Sequence, residues 1–261
     1  SWLNFAFRFM QFPIGVFGVA IATATLPPLS RSSARKDVGE FRDTLADSLG
    51  LVFLLCVPSA AGLAVLGQPI VALIFEHGRF TAFDTLQTAN ALAAYSIGLA
   101  GYAAIKVLSP ACYALGDART PMLISLGSIL INYVMNTLLV GPFGHVGLAL
   151  STSAVALVNF FLLALVLRYK LARLGGRRLT RTFFRVCLAS AAMAGAAWLV
   201  SAAISARLAL DGFALHLVQV FSAIAVAAFV FYFACRLLKV TELDRAIEAI
   251  TRPLLRALRK T

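Results

Sequence analysis

Seven apolar runs, each about as long as a bilayer is thick, divide this chain. That repetition constrains the fold more than any single motif. The runs lie at about 3–26, 48–67, 86–108, 121–140, 146–167, 183–204 and 215–235. A hydrocarbon core takes roughly 20 residues of helix to cross. Only helices and closed barrels satisfy their backbone polar groups inside it, and runs of this length are too long for barrel strands. The expected fold is therefore all-α, a polytopic transmembrane helix bundle of about seven spans. Composition agrees, with 61% hydrophobic and 13% charged residues, where soluble domains carry about 25% charge. One further run, "PIVALIF" (69–75), is too short to cross and is expected as an interfacial or re-entrant piece.

The net charge of +12 raises nucleic acid as a partner, but the placement of the cations argues against it. Arg31, Arg35, Lys36 and Arg42 follow the first span, and Arg119 follows the third. Seven more follow the fifth span (168–185) and seven the last (236–260). Nineteen of the 23 basic residues thus fall on one side, and only Arg79 and Arg207 on the other. By the positive-inside rule the crowded side is cytoplasmic, which places residue 1 outside and the C-terminus inside. The cations then face a membrane surface and its lipids. With no initiator Met and no signal peptide, the chain is expected to be the C-terminal part of a longer protein.

Local signals fit these sides. "GPFGH" (141–145) forms a tight outer turn. In "GDARTP" (116–121), Gly116 suits a helix C-terminus, Thr120 an N-cap and Pro121 a first helical position. "TELD" (241–244) resembles a capping box with Asp in place of Glu. Leu243, Ile247, Ile250, Leu254 and Leu258 then mark one apolar stripe, so 241–261 is expected as an amphipathic helix on the inner leaflet or packed on the protein. Cys56, Cys112, Cys187 and Cys235 have no metal-like spacing and suit small apolar fillers.

No catalytic set is visible, so the chain is not expected to be an enzyme. His77, His145 and His216 fall near outer loops without paired carboxylates. The residues that need explaining are polar ones inside spans. An arginine at mid-bilayer costs roughly 2.5–3.5 kcal/mol on insertion scales, yet Arg8 lies about five residues into the first span, with Gln11 a turn later. Arg8 either snorkels to the outer interface or lines a polar cavity and binds an anion. A guanidinium suits phosphate, because it stays charged and offers a planar fork of donors. Pro13 and Gly15 can bend the helix beside it. Lys106, near the inner end of the third span, is a snorkelling lysine or a second ligand. Asn132 and Asn136 share a face of the fourth span, opposite Ser151, Thr152 and Ser153 in the fifth. Such oxygens either join two membrane helices or hold a cation such as sodium.

Four ordered blocks carry a resemblance: "FRFMQFPIGVFGVAIATATLPPLSR" (7–31), "LIFEHGRFTAFDT" (73–85), "ALGDARTP" (114–121) and "GHVGLALSTSAVALVN" (144–159). Together they resemble the lipid II flippase family MurJ (MviN), of the multidrug/oligosaccharidyl-lipid/polysaccharide exporter superfamily. The resemblance implies a fourteen-span fold, of which this chain is similar to the second half. It implies a second-lobe bundle over 1–170, two additional C-terminal spans over 171–240 that form a groove for a polyprenyl tail, and a first lobe upstream as partner. It also implies translocation of lipid II from inner to outer leaflet by alternating access in the bacterial inner membrane. Arg8 matches the family's basic cavity residue for the diphosphate; Gln11 and Lys106 are expected as further substrate-binding residues from their placement in the spans alone. Where many members carry an acidic residue and a Glu around that arginine, this chain has Phe7 and Gln11. Asn132, Asn136 and Thr152 match residues that bind sodium in some members, which implies sodium or membrane potential, and no other cofactor, as the drive. The competing expectations are a related lipid-linked glycan (O-antigen type) or drug exporter, and a non-transporting scaffold for wall synthesis. A drug exporter should want an acidic cavity, and this half is cationic.

Overall fold

The computed structural model describes residues 1–171, 176–207, 212–244, 246 and 248. Its elements are α1 (Trp2–Pro13), a π-helical stretch Ile14–Val19, α2 (Ala20–Ala34), α3 (Val38–Phe75), α4 (Ala82–Ala114), α5 (Arg119–Lys170), α6 (Gly176–Arg207) and α7 (Gly212–Leu237). No strand occurs among the described residues, so the expected all-α class holds. α1, the π stretch and α2 form one rod, Trp2–Ala34. Counting that rod once, six helices among the described residues are long and apolar enough to cross a membrane.

α5 supplies two crossings. At Gly144 the backbone leaves helical angles (φ 55°, ψ −132°), a region open to glycine and strained for other residues. The Ser128 hydroxyl then donates to Asn159, and Ser151 Oγ donates to Asn136 Oδ1 at 2.7 Å. Both pairs centre on residues 143–144, so α5 is an antiparallel hairpin. The turn expected at 141–145 is this fold-back.

The expected separate piece at 69–75 is corrected. Those residues complete α3, which is unbroken from Val38 to Phe75. Seven apolar residues cannot cross alone, but they extend a neighbouring span that begins well inside the basic loop. A second correction concerns Thr120. Asp117 caps α5, accepting from the Thr120 backbone N–H at 3.0 Å, and Pro121 falls two residues inside the helix. A carboxylate near the helix N-terminus also suits the macrodipole. Gly116, at φ 75°, ends the preceding turn as expected. The third correction is at 241–244. Thr241 Oγ1 donates to Glu242 Oε2 at 3.2 Å, and Asp244 pairs with Arg236 at 3.1 Å, in place of a Thr241–Asp244 box. A true capping box sits at Thr81 and Asp84, in the "TAFD" that opens α4. Most of the expected amphipathic helix at 241–261 lies outside the described residues.

α4 is the centre of the lobe. It packs against α3, against the α5 hairpin and along the whole α1–α2 rod. The rod runs parallel to it: Trp2 Nε1 donates to Asp84 at 2.7 Å, Gly18 faces Ala103, and Ser33 Oγ donates to the Ala114 carbonyl at 2.7 Å. Leu29, Leu45, Leu49, Leu92, Leu99 and Leu108 fill one continuous core. α6 and α7 pair with each other and reach the lobe chiefly through α3.

The two ends of the bundle differ in charge. At one end Lys170 pairs with Asp117, the Arg42 guanidinium donates to the Leu171 carbonyl, Arg178 pairs with Asp47 at 2.9 Å, and Arg185 donates to the Lys239 carbonyl at 2.9 Å. At the other end Thr85 donates to Glu76 at 2.6 Å, and His145 lies 3.1 Å from the Gln87 carbonyl and against Trp2. The basic loops that alternate along the sequence are thus gathered at a single end. Several of their cations meet helix C-terminal carbonyls, where positive charge is favoured.

Candidate functional site: the open face of the first rod

The rod buries one face and leaves the other open. Ala6, Met10 and Pro13 of α1 face the core, as do Thr25, Leu29 and Ser32 of α2. Thr25 also donates to Ser48 Oγ of α3 at 2.8 Å. Between these positions Asn4, Arg8, Gln11, Gly15, Val19 and Thr23 are exposed in a stripe along the rod. Arg8 makes no ion pair or hydrogen bond with another described residue. Its guanidinium is presented on a surface lined by apolar and small side chains, with Gln11 one turn further along the same face. Phe12, 71% exposed, stands beside them. A planar, permanently charged donor fork so placed can engage a phosphate with two hydrogen bonds at once.

Lys106 is exposed as well, but the structure does not bring it to Arg8. The Gly18–Ala103 contact fixes the register of the two parallel helices. Arg8 precedes that contact by ten residues and Lys106 follows it by three. At 1.5 Å per residue they stand on the order of 20 Å apart along the axis. One diphosphate group cannot bridge that distance, so the two cations are separate positions at different depths.

The polar group on α5 is bound to itself. Asn136 Nδ2 donates to Asn132 Oδ1 at 2.9 Å while its own oxygen accepts from Ser151. The Thr152 hydroxyl donates to the Leu148 carbonyl of its own helix at 2.8 Å, and the Thr152 carbonyl accepts from Tyr102 at 3.3 Å. Ser153 Oγ reaches the Ala94 carbonyl of α4 at 2.8 Å. These bonds tie the two arms of the hairpin together and the hairpin to α4. His77, His145 and His216 lie at the end opposite the basic loops, and no cluster of three His, Cys, Asp or Glu side chains suited to a metal occurs among the described residues.

Sequence reasoning missed one polar centre. Glu242, only 3% exposed, is folded back beneath the bundle. It accepts from Thr182 Oγ1 of α6 at 3.0 Å and packs on Gly50 of α3, where a Cβ would meet its Cγ at 3.0 Å. Arg178 lies 3.9 Å from it and bridges to Asp47. Lys239, at φ 51°, makes the reversal that carries the chain there. A glutamate seven residues past the last apolar run looks solvated from sequence alone. The only hint of a buried partner was Gly50, inside an otherwise bulky run. In the nearby loop, hydrogen bonds from Lys170 and then from Thr120 hold the Asp117 carboxyl well below the usual carboxylate range.

Comparison with known proteins agrees with this architecture. The family model described as lipid II flippase MurJ matches residues 1–239. Among curated relatives, the lipid II flippase MurJ of Burkholderia cenocepacia is 40% identical over 168 residues, covering 64% of this chain and 33% of that one. The probable lipid II flippase MurJ of Vibrio cholerae is 38% identical over 200 residues, covering 75% and 37%. A solved structure of lipid II flippase MurJ in an inward closed conformation superposes with a TM-score of 0.71 at 27% identity, covering 91% of this chain and 47% of that one. This chain therefore spans between a third and a half of the relatives it matches. With the family model running through all seven α-helices, past the end of α7, the chain belongs to the MurJ lipid II flippase family.

Proposed function

We propose that this chain forms the second lobe and the two additional C-terminal helices of a lipid II flippase of the bacterial inner membrane. It moves the lipid-linked peptidoglycan precursor from inner to outer leaflet by alternating access, working with a first lobe that covers the open face of the rod. The end carrying the basic loops is cytoplasmic and the Trp2 end is outside. The chemistry is transport: a charged headgroup is sheltered and released, and no bond is made or broken. The observation that carries this reading is Arg8, exposed within an apolar span and unpaired among the described residues. A cation in that position needs an anion, and the anion of the substrate named for the relatives is a diphosphate.

In this reading Arg8 and Gln11 hold the headgroup, and Lys106 is a second, deeper station. Asn132, Asn136 and Thr152 serve as hydrogen-bonded joints between helices, and membrane potential drives the cycle. Replacing sodium by choline then leaves flipping unchanged, and a sodium requirement would restore those three residues as an ion site.

The test grafts residues 1–261 onto the first half of the Burkholderia cenocepacia relative in cells depleted of their own flippase. The graft restores growth. Arg8→Ala lowers flipping on the order of tenfold to a hundredfold, the loss expected for a charged hydrogen bond, and Arg8→Lys falls between. Equal rescue by Arg8→Ala would make the arginine an interfacial anchor. Rescue of lipid-linked O-antigen export, but not of lipid II, would move the substrate to the related glycans.

A further inference from the structure

The rod contains one residue more than its packing needs. Ala6, Met10 and Pro13 on α1 and Thr25, Leu29 and Ser32 on α2 are two buried triplets with the same spacing, four then three. Each member of the second triplet lies 19 residues after its counterpart in the first. In a continuous α-helix about 18 residues complete five turns, and a nineteenth rotates the second triplet by about 100° away from the core. Ile14–Val19 absorbs that residue as a π-helical stretch, so both triplets still face α3 and α4. A chain one residue shorter would bury the same faces with a plain helix. Packing alone does not ask for the skip.

We infer that Ile14–Val19 is the joint on which α1, with Arg8 six residues above it, moves relative to α2 during the transport cycle, an inference that rests on the function proposed above. The surroundings are those of a joint. Pro13, at its upper boundary, has no N–H to bond back into α1. Gly15 is exposed, and a Cβ built there meets nothing within 4 Å. Val16 and Val19 are exposed on the same side. Gly18 is the fulcrum, where an added Cβ would meet Ala103 at 3.4 Å. Below it, α2 is pinned by Thr25 to Ser48 and by Ser33 to the Ala114 carbonyl. Above it, α1 is held at its outer tip by Trp2 on Asp84 and by Phe5 against Phe75 and Phe80. Two anchored segments meet at a widened turn with open space on one side. π insertions in helices gather at functional sites, and this one sets the direction in which Arg8 points.

Deleting Gly15 separates a joint from a mere register correction, because it converts the stretch to plain α-helix while both buried triplets stay in place. The graft of residues 1–261 onto the first half of the Burkholderia cenocepacia relative is reconstituted in lipid nanodiscs, with spin labels at the exposed Asn4 and Ser30 placed by unnatural amino acids. Expected for the wild type is a broad or two-peaked distance distribution. The deletion is expected to give one narrow peak with helicity unchanged. In the unlabelled wild type, amides of 14–19 exchange about tenfold faster than those of α1 and α2 on either side, as local opening requires. A single narrow peak in both proteins, or uniform exchange along the rod, would overturn the joint. Loss of helicity on deletion would overturn the register argument beneath it. Arg8→Ala leaves the wild-type distribution intact whatever it does to flipping, so failure of the binding role and failure of the joint give different results.

Discussion

The lobe and the C-terminal pair are both helical and both apolar, but they are held in different ways. Within the lobe, backbones touch. Gly98 of α4 lies so close to Ser153 that a Cβ would come within 2.6 Å of its Cα, and Gly147 lies against the Leu139 carbonyl across the hairpin. The α6–α7 pair meets α3 through larger side chains, with Leu54, Val186 and Cys235 in one cluster and Leu66, Met193 and Ala227 in another. Its end beside the basic loops is fastened by Glu242, Thr182, Arg178 and Asp47. The contrast follows from the solvent. Lipid is as apolar as leucine, so apolar burial alone drives helix association weakly. Close packing of small residues and interhelical hydrogen bonds do the joining. The lobe uses both means throughout, whereas the pair meets α3 through side chains, with a polar group fastening it at the end of the basic loops.

That difference can be broken from the lobe side first. Gly147→Ala is expected to have the largest effect, because the added carbon would collide with a backbone oxygen that cannot rotate away. The hairpin should fail to close, and the protein should lose its cooperative melt in detergent. Gly98→Ala should follow, costing about 1–3 kcal/mol or more as overpacking does, with loss of the Ser153 bond to α4. The control is Gly127→Ala, on the exposed arm of α5 with nothing within 4 Å. It should be neutral or stabilising by up to about 1 kcal/mol. Equal melting of all three variants would refute close approach as the lobe's fastening.

On the side of the pair, Glu242→Ala leaves Thr182 without its acceptor and empties the space over Gly50. A cost of about 1–3 kcal/mol is expected, felt between α3 and α6 and not within the lobe. Cysteine cross-linking between α3 and α6 at that end should slow, while linking between α4 and α5 is unchanged. Glu242→Gln should fall between the two, since it keeps the shape and one acceptor. Arg178 is 44% exposed, so its own ion pairs should add little.

The smallest effect is expected at Asp117. Its carboxyl is held below its usual range by Lys170 and Thr120. The resulting stabilisation is present above the unfolded value near 3.9 and fades as pH falls toward the lower folded value. Wild type should melt slightly above Asp117→Asn at neutral pH, and the gap should close in acid. A gap that widens in acid would reverse the sign of this interaction.

Much of the fold was legible because membranes impose length and side. Six long apolar helices, a turn at Gly144 and basic loops gathered at one end all follow from runs and charges that any reader can mark. The piece at 69–75 was misplaced because length was applied to an isolated run, while the helix it belongs to begins well before it, at Val38. Thr120 looked like a cap because Thr before Pro is a common start, but Asp117 three residues back offers a charged acceptor and takes the role.

The sequence by itself determined the class of fold, the alternation of sides, the family and the oddity of Arg8. Those depend on composition and order along the chain, which the bilayer reads one segment at a time. Tertiary structure alone decided that Asn132 and Asn136 bond each other and Ser151, that Lys106 stands far from Arg8, and that Glu242 is buried. It also decided that an extra residue in the first rod is absorbed at Ile14–Val19. Each of these depends on which faces of two helices meet and at what register. A shift of one residue turns a helix by about 100°, and only the packed neighbours settle that angle.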